Sequence, residues 1–131
     1  MVLLDTHIWV WWMLGQKDLP SHQHAQLTAL ARTRPPFLSD VSLWEVQMMY
    51  SKKRLPLHIP FGQWLNQATQ PDVVELVRIT PAIAIKLTEL PRALQADPAD
   101  RIIVATAIVH GVPLFTHDRK IQRAKVVPLW R

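Results

Sequence analysis

The chain has 131 residues, 49% hydrophobic and 19% charged, with a net charge of +5 and no cysteine. That length suits one domain over residues 1–131 with one core, and the balance excludes a disordered chain. A disulfide framework and a thiolate metal site are excluded too. The positive charge suits a polyanionic partner, or simply a solvated basic surface.

The N-terminus lacks a basic leader and Asp5 interrupts the first apolar run, so no export signal is read. Ile8 to Leu14 is very apolar but falls far short of the roughly 20 residues that span a bilayer. The expectation is a soluble cytoplasmic protein with no membrane partner.

Val2-Leu3-Leu4 reads as a short strand ending at Asp5, and a helix from about Thr6 to Leu14 follows directly. Ser21 is placed to cap a helix that stops near Arg34, because Pro35-Pro36 disfavours its continuation. Phe37-Leu38 reads as a strand, Ser42 opens a helix to about Lys53, and another helix spans Phe61 to Thr69. A strand at Val73 to Ile79 and a helix at Ala82 to Leu90 come next. Arg101 to His110 forms a helix ended by Gly111, Val112 to Phe115 a strand, and Val126-Val127 the last strand. Strands alternating with helices imply an α/β fold with a parallel sheet covered on both faces. Ligands of such sheets gather outside the carboxyl ends of the strands.

Carboxylates fall at those ends. Asp5 ends the first strand, and Asp118 lies just past Val112 to Phe115. Glu45 sits one turn into its helix, while Asp97 and Asp100 precede or open the apolar helix Ile102 to Ile108. Each has a structural explanation by itself. Glu45 completes a capping box with Ser42, Asp97-Pro98 is a helix start, Asp118 closes a turn, and Asp5 caps the first helix. Brought together, they are costly: two charges about 4 Å apart repel by on the order of 4 kcal/mol at an effective dielectric near 20. Such a cluster needs protons, basic partners or a cation. Oxygen ligands without cysteine favour Mg²⁺ or Mn²⁺. An acidic metal site on a basic protein suits a phosphate-backbone substrate.

The patches Leu3-Leu4-Asp5-Thr6-His7-Ile8-Trp9, Ser39-Asp40-Val41-Ser42-Leu43-Trp44-Glu45, Asp97-Pro98-Ala99-Asp100-Arg101-Ile102-Ile103-Val104-Ala105 and Leu114-Phe115-Thr116-His117-Asp118 occur in series. With them the chain resembles the PIN domain, and more closely its VapC-type toxin branch. The resemblance implies a three-layer α/β/α fold with a central parallel sheet. It implies a metal-dependent endoribonuclease, the toxin of a toxin–antitoxin pair, with Mg²⁺ or Mn²⁺ held by Asp5, Glu45, Asp100 and Asp118. Asp5 and Asp100 are expected as direct ligands, and Glu45 and Asp118 directly or through water. Thr116 matches the small hydroxyl residue that supports the site, and Asp97 ranks second because its capping role suffices. Water rather than the ribose 2′-hydroxyl would attack, leaving a 5′-phosphate and a 3′-hydroxyl. Many relatives carry a lysine one turn after the helical glutamate, where this chain has Met48-Met49. That departure leaves RNA contacts to Lys52, Lys53 and Arg54, with Arg101, Arg119, Lys120 and Arg123 as the other phosphate-binding candidates.

His7 and His117 adjoin the carboxylates and are open to an imidazole or a plain turn role. In the first helix, Ile8, Trp11, Trp12 and Gly15 mark a buried face, while Trp9, Val10, Met13 and Leu14 make the other side apolar too. Deep core packing explains this, as does a partner interface at Trp9, Trp11 and Trp12 with an exposed aromatic patch. The family's partners are a second copy of the chain and a VapB-like antitoxin. Trp44 and Trp64 are expected in the core. The competing readings are a housekeeping ribonuclease of the same fold without an antitoxin, and a non-catalytic RNA-binding or protein-interaction module. A phosphatase-like hydrolase with Asp5 as nucleophile would want a carboxylate where His7 stands.

Overall fold

Leu3–Leu4 forms β1, and Thr6–Leu14 follows as α1. Ser21–Thr33 is α2, Phe37–Ser39 β2, Val41–Ser51 α3 and Phe61–Ala68 α4. Glu75–Val77 is β3, Pro81–Glu89 α5, Pro98–His110 α6, Leu114–Phe115 β4 and Arg119–Ala124 α7. This computed structural model describes every residue except Ala93, Gln95 and Ala96.

Local chemistry sets many of these limits. At the start of α6 the Asp97 carboxylate accepts from the Asp100 amide, and Pro98 occupies the first turn, where no amide hydrogen is needed. Gly15 and Gly111 close α1 and α6 in left-handed conformation, at φ 63° and 65°, which glycine adopts without a Cβ penalty. At α2, Pro20 occupies the capping position and no side chain caps the helix.

The strands form one four-stranded parallel sheet in the order β3-β2-β1-β4. Alternate strand residues face opposite sides, and the core divides accordingly. Val2, Leu4, Leu38 and Phe115 pack with Trp9 of α1, Leu27 of α2, Val46 of α3 and Trp64 of α4. Leu3, Phe37, Val77 and Leu114 pack on the other side with Ile103, Val104 and Ala107 of α6 and Ile121 of α7. The result is the expected three-layer α/β/α arrangement. No helix among the described residues is long and apolar enough to cross a membrane.

The structure corrects several expectations. Val126-Val127 is not a strand. The chain pairs with β4 slightly later, through a parallel bridge between Leu114 and Leu129, where the Leu114 amide donates to the Pro128 carbonyl. Val127 is buried in the core instead. Helix α7 was not anticipated, because Arg119–Ala124 offers too few apolar residues to show a period. The exposed aromatic face of α1 is also absent. Trp9 is fully buried, its ring tilted against Trp64 and its indole N–H donating to the Ala68 carbonyl at 3.1 Å. Trp12 is buried as well and donates to Thr28 Oγ1. Helix α1 is therefore enclosed by the sheet, α2 and α4, and only Trp11 of the three indoles remains half-buried. Trp64 lies in the core as expected, but Trp44 is 55% exposed.

Candidate metal centre

The strand register assembles the site. Leu4 pairs with Phe115 across β1 and β4, so the residues that follow them, Asp5 and Thr116, emerge side by side at the carboxyl edge. The Asp5 amide donates to the Phe115 carbonyl, which holds the two chain ends together. Thr116 Oγ1 donates to Asp5 Oδ2 at 2.6 Å and accepts from the Asp118 amide at 3.0 Å. Asp5 is only 4% exposed, and although it stands at the capping position of α1 its carboxylate makes no cap bond. Asp5 Oδ1 is buried without a hydrogen-bond partner.

Helix α3 brings Glu45 to the same edge, and α6 brings Asp100. One carboxylate oxygen from each of Asp5, Glu45 and Asp100 lies within 4.8 Å of the others. The expected capping box at Ser42 is not formed, since α3 begins at Val41 and Asp40 takes the capping position. Ser42 and Glu45 instead both meet Thr6. The Thr6 hydroxyl donates to Glu45 Oε1, so the Ser42 hydroxyl, 2.7 Å away, is the donor to Thr6. Glu45 is thus held by a Ser42–Thr6 relay, much as Asp5 is held by Thr116.

Burial pushes the carboxyls of Asp5 and Glu45 above their ordinary range, against the hydrogen bonds that each accepts from a threonine. Asp100 is raised to about 8, first by burial and then by the charges of Asp5, Asp97, Glu45 and Asp118. Among the described residues the ion pairs are Arg34–Glu75 and Lys86–Glu89, so no basic side chain neutralises the trio. A buried orphan oxygen amid unneutralised carboxylates fits a hard divalent cation. The all-oxygen donor set agrees with Mg²⁺ or Mn²⁺.

The trio opens on a cleft of about 290 Å³ lined also by His7, Trp11, Asp97, His117 and Asp118. Asp118 stands outside the trio. Its Oδ1 accepts from the Lys120 and Ile121 amides and caps α7, so structural and site-facing roles coexist in one side chain. Asp97 likewise lines the cleft while capping α6. His7, Trp11 and His117 form an aromatic wall, with ring centroids 5.8 and 5.6 Å apart, and His117 Nε2 donates to Gln23 Oε1.

The basic candidates separate. The Arg101 guanidinium donates to the Leu87 and Leu94 carbonyls and braces the chain before α6. Lys52 and Arg54 line a second cleft that continues from the first, and Lys53 beside them is exposed in left-handed conformation. Arg119, Lys120 and Arg123 are exposed on α7. Thr6, Ser42 and Gln23 were missed by the sequence reading. For Thr6 a signal existed, a hydroxyl residue adjoining a strand-end carboxylate, as at Thr116.

Thr116→Val retains shape but removes the donor to Asp5 and the acceptor for the Asp118 amide. Loss of an outer-shell partner costs about 10–100-fold in metal affinity. Titration of Mn²⁺ into the purified variant checks this, and parent-like affinity would deny Thr116 its orienting role.

A parallel sheet covered on both faces, with a carboxylate trio at its carboxyl edge, defines an α/β domain built around an acidic cation site. Residues 2–127 match the PIN domain, and the chain belongs to the PIN-domain family. It is 36% identical over 121 residues to Ribonuclease VapC22 of Mycobacterium tuberculosis (strain ATCC 25618 / H37Rv), covering 92% of this chain and 89% of that one. Among solved structures it resembles VapBC2 from Rickettsia felis, determined bound to a DNA fragment from their promoter. There the TM-score is 0.74 at 21% identity, over 99% of this chain and 98% of that one. FitAcB from Neisseria gonorrhoeae is similar at a TM-score of 0.68 and 19% identity, over 100% of this chain and 97% of that one. At those identities the two structures establish the shared fold.

Proposed function

We propose that this chain is a Mg²⁺- or Mn²⁺-dependent endoribonuclease, the toxin of a toxin–antitoxin pair, restrained by a VapB-like antitoxin and assembling as a homodimer. The observation that carries the reading is the 36% identity to Ribonuclease VapC22 across nearly the whole chain. The carboxylate trio supports it, because ribonuclease chemistry and an acidic cation site call for the same groups. The reading takes residues 1–131 as one PIN domain.

Asp5, Glu45 and Asp100 would hold the cation, and Asp118 completes the acidic rim of the cleft. When bound, the cation lowers the pKa of the attacking water and offsets the charge on the phosphate oxygens. The chain's own residues orient and receive. Thr116 fixes the Asp5 carboxylate, and Thr6, held by Ser42, fixes that of Glu45. Water adds to phosphorus, the bond from phosphorus to the 3′-oxygen breaks, a carboxylate of the rim accepts the water's proton, and the departing 3′-oxygen takes a proton from solvent. The products are a 5′-phosphate and a 3′-hydroxyl.

Mapping new 5′-phosphate ends across cellular RNA after a brief pulse of expression tests the reading, with the parent beside Asp5→Asn. Discrete ends found only with the parent are the expected result. Growth arrest with the same end map in both strains would overturn it.

A further inference from the structure

The second cleft, of about 300 Å³, is lined by His7, Glu45 and Asp97 at the catalytic edge and by Trp44, Met48, Met49, Lys52 and Arg54 beyond it. It shares His7, Glu45 and Asp97 with the carboxylate cleft, so the two form one continuous trough. The trough is lined by carboxylates, by the apolar Trp44, Met48 and Met49, and by the basic Lys52 and Arg54. Among the described residues neither Lys52 nor Arg54 forms an ion pair, so both charges are unengaged. The indole of Trp44 lines this cleft, next to Glu45 in sequence and 55% exposed, while Trp9, Trp12 and Trp64 are all buried.

Single exposed apolar side chains are ordinary on a folded surface; what marks Trp44 is its place on the wall of a cleft that Glu45, Lys52 and Arg54 also line. Among the described residues the Trp44 side chain makes no hydrogen bond and joins no ring pair. A trough with a flat aromatic face and cations at its far end matches an unpaired polynucleotide. Such strands are bound by stacking each splayed base on an aromatic ring while basic side chains track the phosphates. A paired base offers no free face to the ring.

We propose that Trp44 is a stacking platform for an unpaired base of the substrate strand close to the scissile phosphate, with Lys52 and Arg54 taking phosphates further along. This rests on the ribonuclease reading and deepens it. The strand enters the site single-stranded, in a loop or at an end. Recognition is then set by ring stacking on α3 rather than by the lysine contact that Met48-Met49 displaces.

The test measures binding of a fluorescein-labelled single-stranded RNA of randomised sequence, and of an RNA duplex, in buffer with Mg²⁺. The proteins carry Asp5→Asn so that the strand is not consumed. Adding Trp44→Ala is expected to weaken single-strand binding about tenfold or more, to leave duplex binding unchanged, and to leave the melting temperature in place because the ring is exposed. Adding Trp44→Phe instead is expected to restore most of the affinity. Lys52→Ala and Arg54→Ala are each expected to flatten the dependence of binding on salt. Parent-like affinity in Trp44→Ala, equal loss on duplex, or no recovery with phenylalanine would each overturn the proposal. Absence of cleavage by the parent would sink the ribonuclease reading alone, because these binding measurements do not depend on turnover.

Discussion

Asp5→Asn is expected to lower RNA cleavage by on the order of a thousandfold, well beyond the roughly 10–100-fold cost of losing an outer-shell partner. Metal-free, the same variant is expected to melt a few degrees above the parent. Both effects follow from the same oxygen. Asp5 Oδ1 is buried and unpartnered, within reach of carboxylates from Glu45 and Asp100. Asparagine keeps an oxygen to accept from Thr116, removes one negative charge from the cluster, and places an amide donor where the orphan acceptor stood. The apo fold therefore loses a desolvated, self-repelling charge, while the cation loses its most buried ligand. Relief of about 1 kcal/mol corresponds to roughly 3–6 °C for a domain of this size. Single-turnover cleavage with Mn²⁺ and melting in the presence of chelator read the two effects separately. A variant that cleaves at the parent's rate would remove Asp5 from the site. One that melts well below the parent would mean the carboxylate serves packing rather than a cation.

Cation binding and apo stability are expected to respond to pH in opposite directions. Asp100 ordinarily titrates near 3.8 and is raised to about 8 in the fold, with Asp5 and Glu45 displaced in the same direction. A group raised on folding stabilises fully below its unfolded value and ceases to contribute as pH climbs through its folded value. Under chelation, the melting temperature is therefore expected to fall from mildly acidic pH toward pH about 8 and then level off. A cation must displace the same protons, so its affinity is expected to tighten about tenfold per pH unit for each proton released below that point. Saturating Mg²⁺ or Mn²⁺ then restores much of the stability lost at the alkaline end. Melting curves across this range, with metal and with chelator, check both halves. Calorimetry in buffers of different ionisation enthalpy counts the protons. Metal affinity that ignores pH over this range would show that the carboxylates are already ionised and that the cluster is wetter than its burial indicates.

Several features were legible because they are local. Asp97-Pro98 and the glycines at 15 and 111 mark the start of α6 and the ends of α1 and α6 through backbone chemistry confined to one turn. The alternation of short apolar runs with helices specified a parallel sheet, and the position of carboxylates just past strand ends pointed to its carboxyl edge. Strand polarity placed Asp5, Glu45, Asp97, Asp100 and Asp118 near one edge, the resemblance named Asp5, Glu45, Asp100 and Asp118 as one acidic site, and the fold brings Asp5, Glu45 and Asp100 together.

What remained depends on which distant surfaces meet, and no spacing within the chain encodes that. Helix α1 is apolar all round, so its pattern could not say whether Trp9 faced α4 or a partner. The choice was made by Ala68, a carbonyl far along the chain that accepts the indole proton. Ser42 and Glu45 satisfy the capping pattern perfectly well in sequence, yet their polar atoms turn to Thr6 across the sheet edge. The spacing that marked Arg101 as a phosphate candidate gave no sign that its guanidinium also braces the carbonyls of Leu87 and Leu94. Trp44 looked like core until the packing of α3 left its ring outside. The sequence by itself determined the fold class and most of the helices, because short-range backbone preferences and strand polarity suffice for these. Tertiary structure decided which carboxylates crowd together, which hydroxyls restrain them and which indole faces solvent, because burial and hydrogen-bond competition are settled only when the layers close.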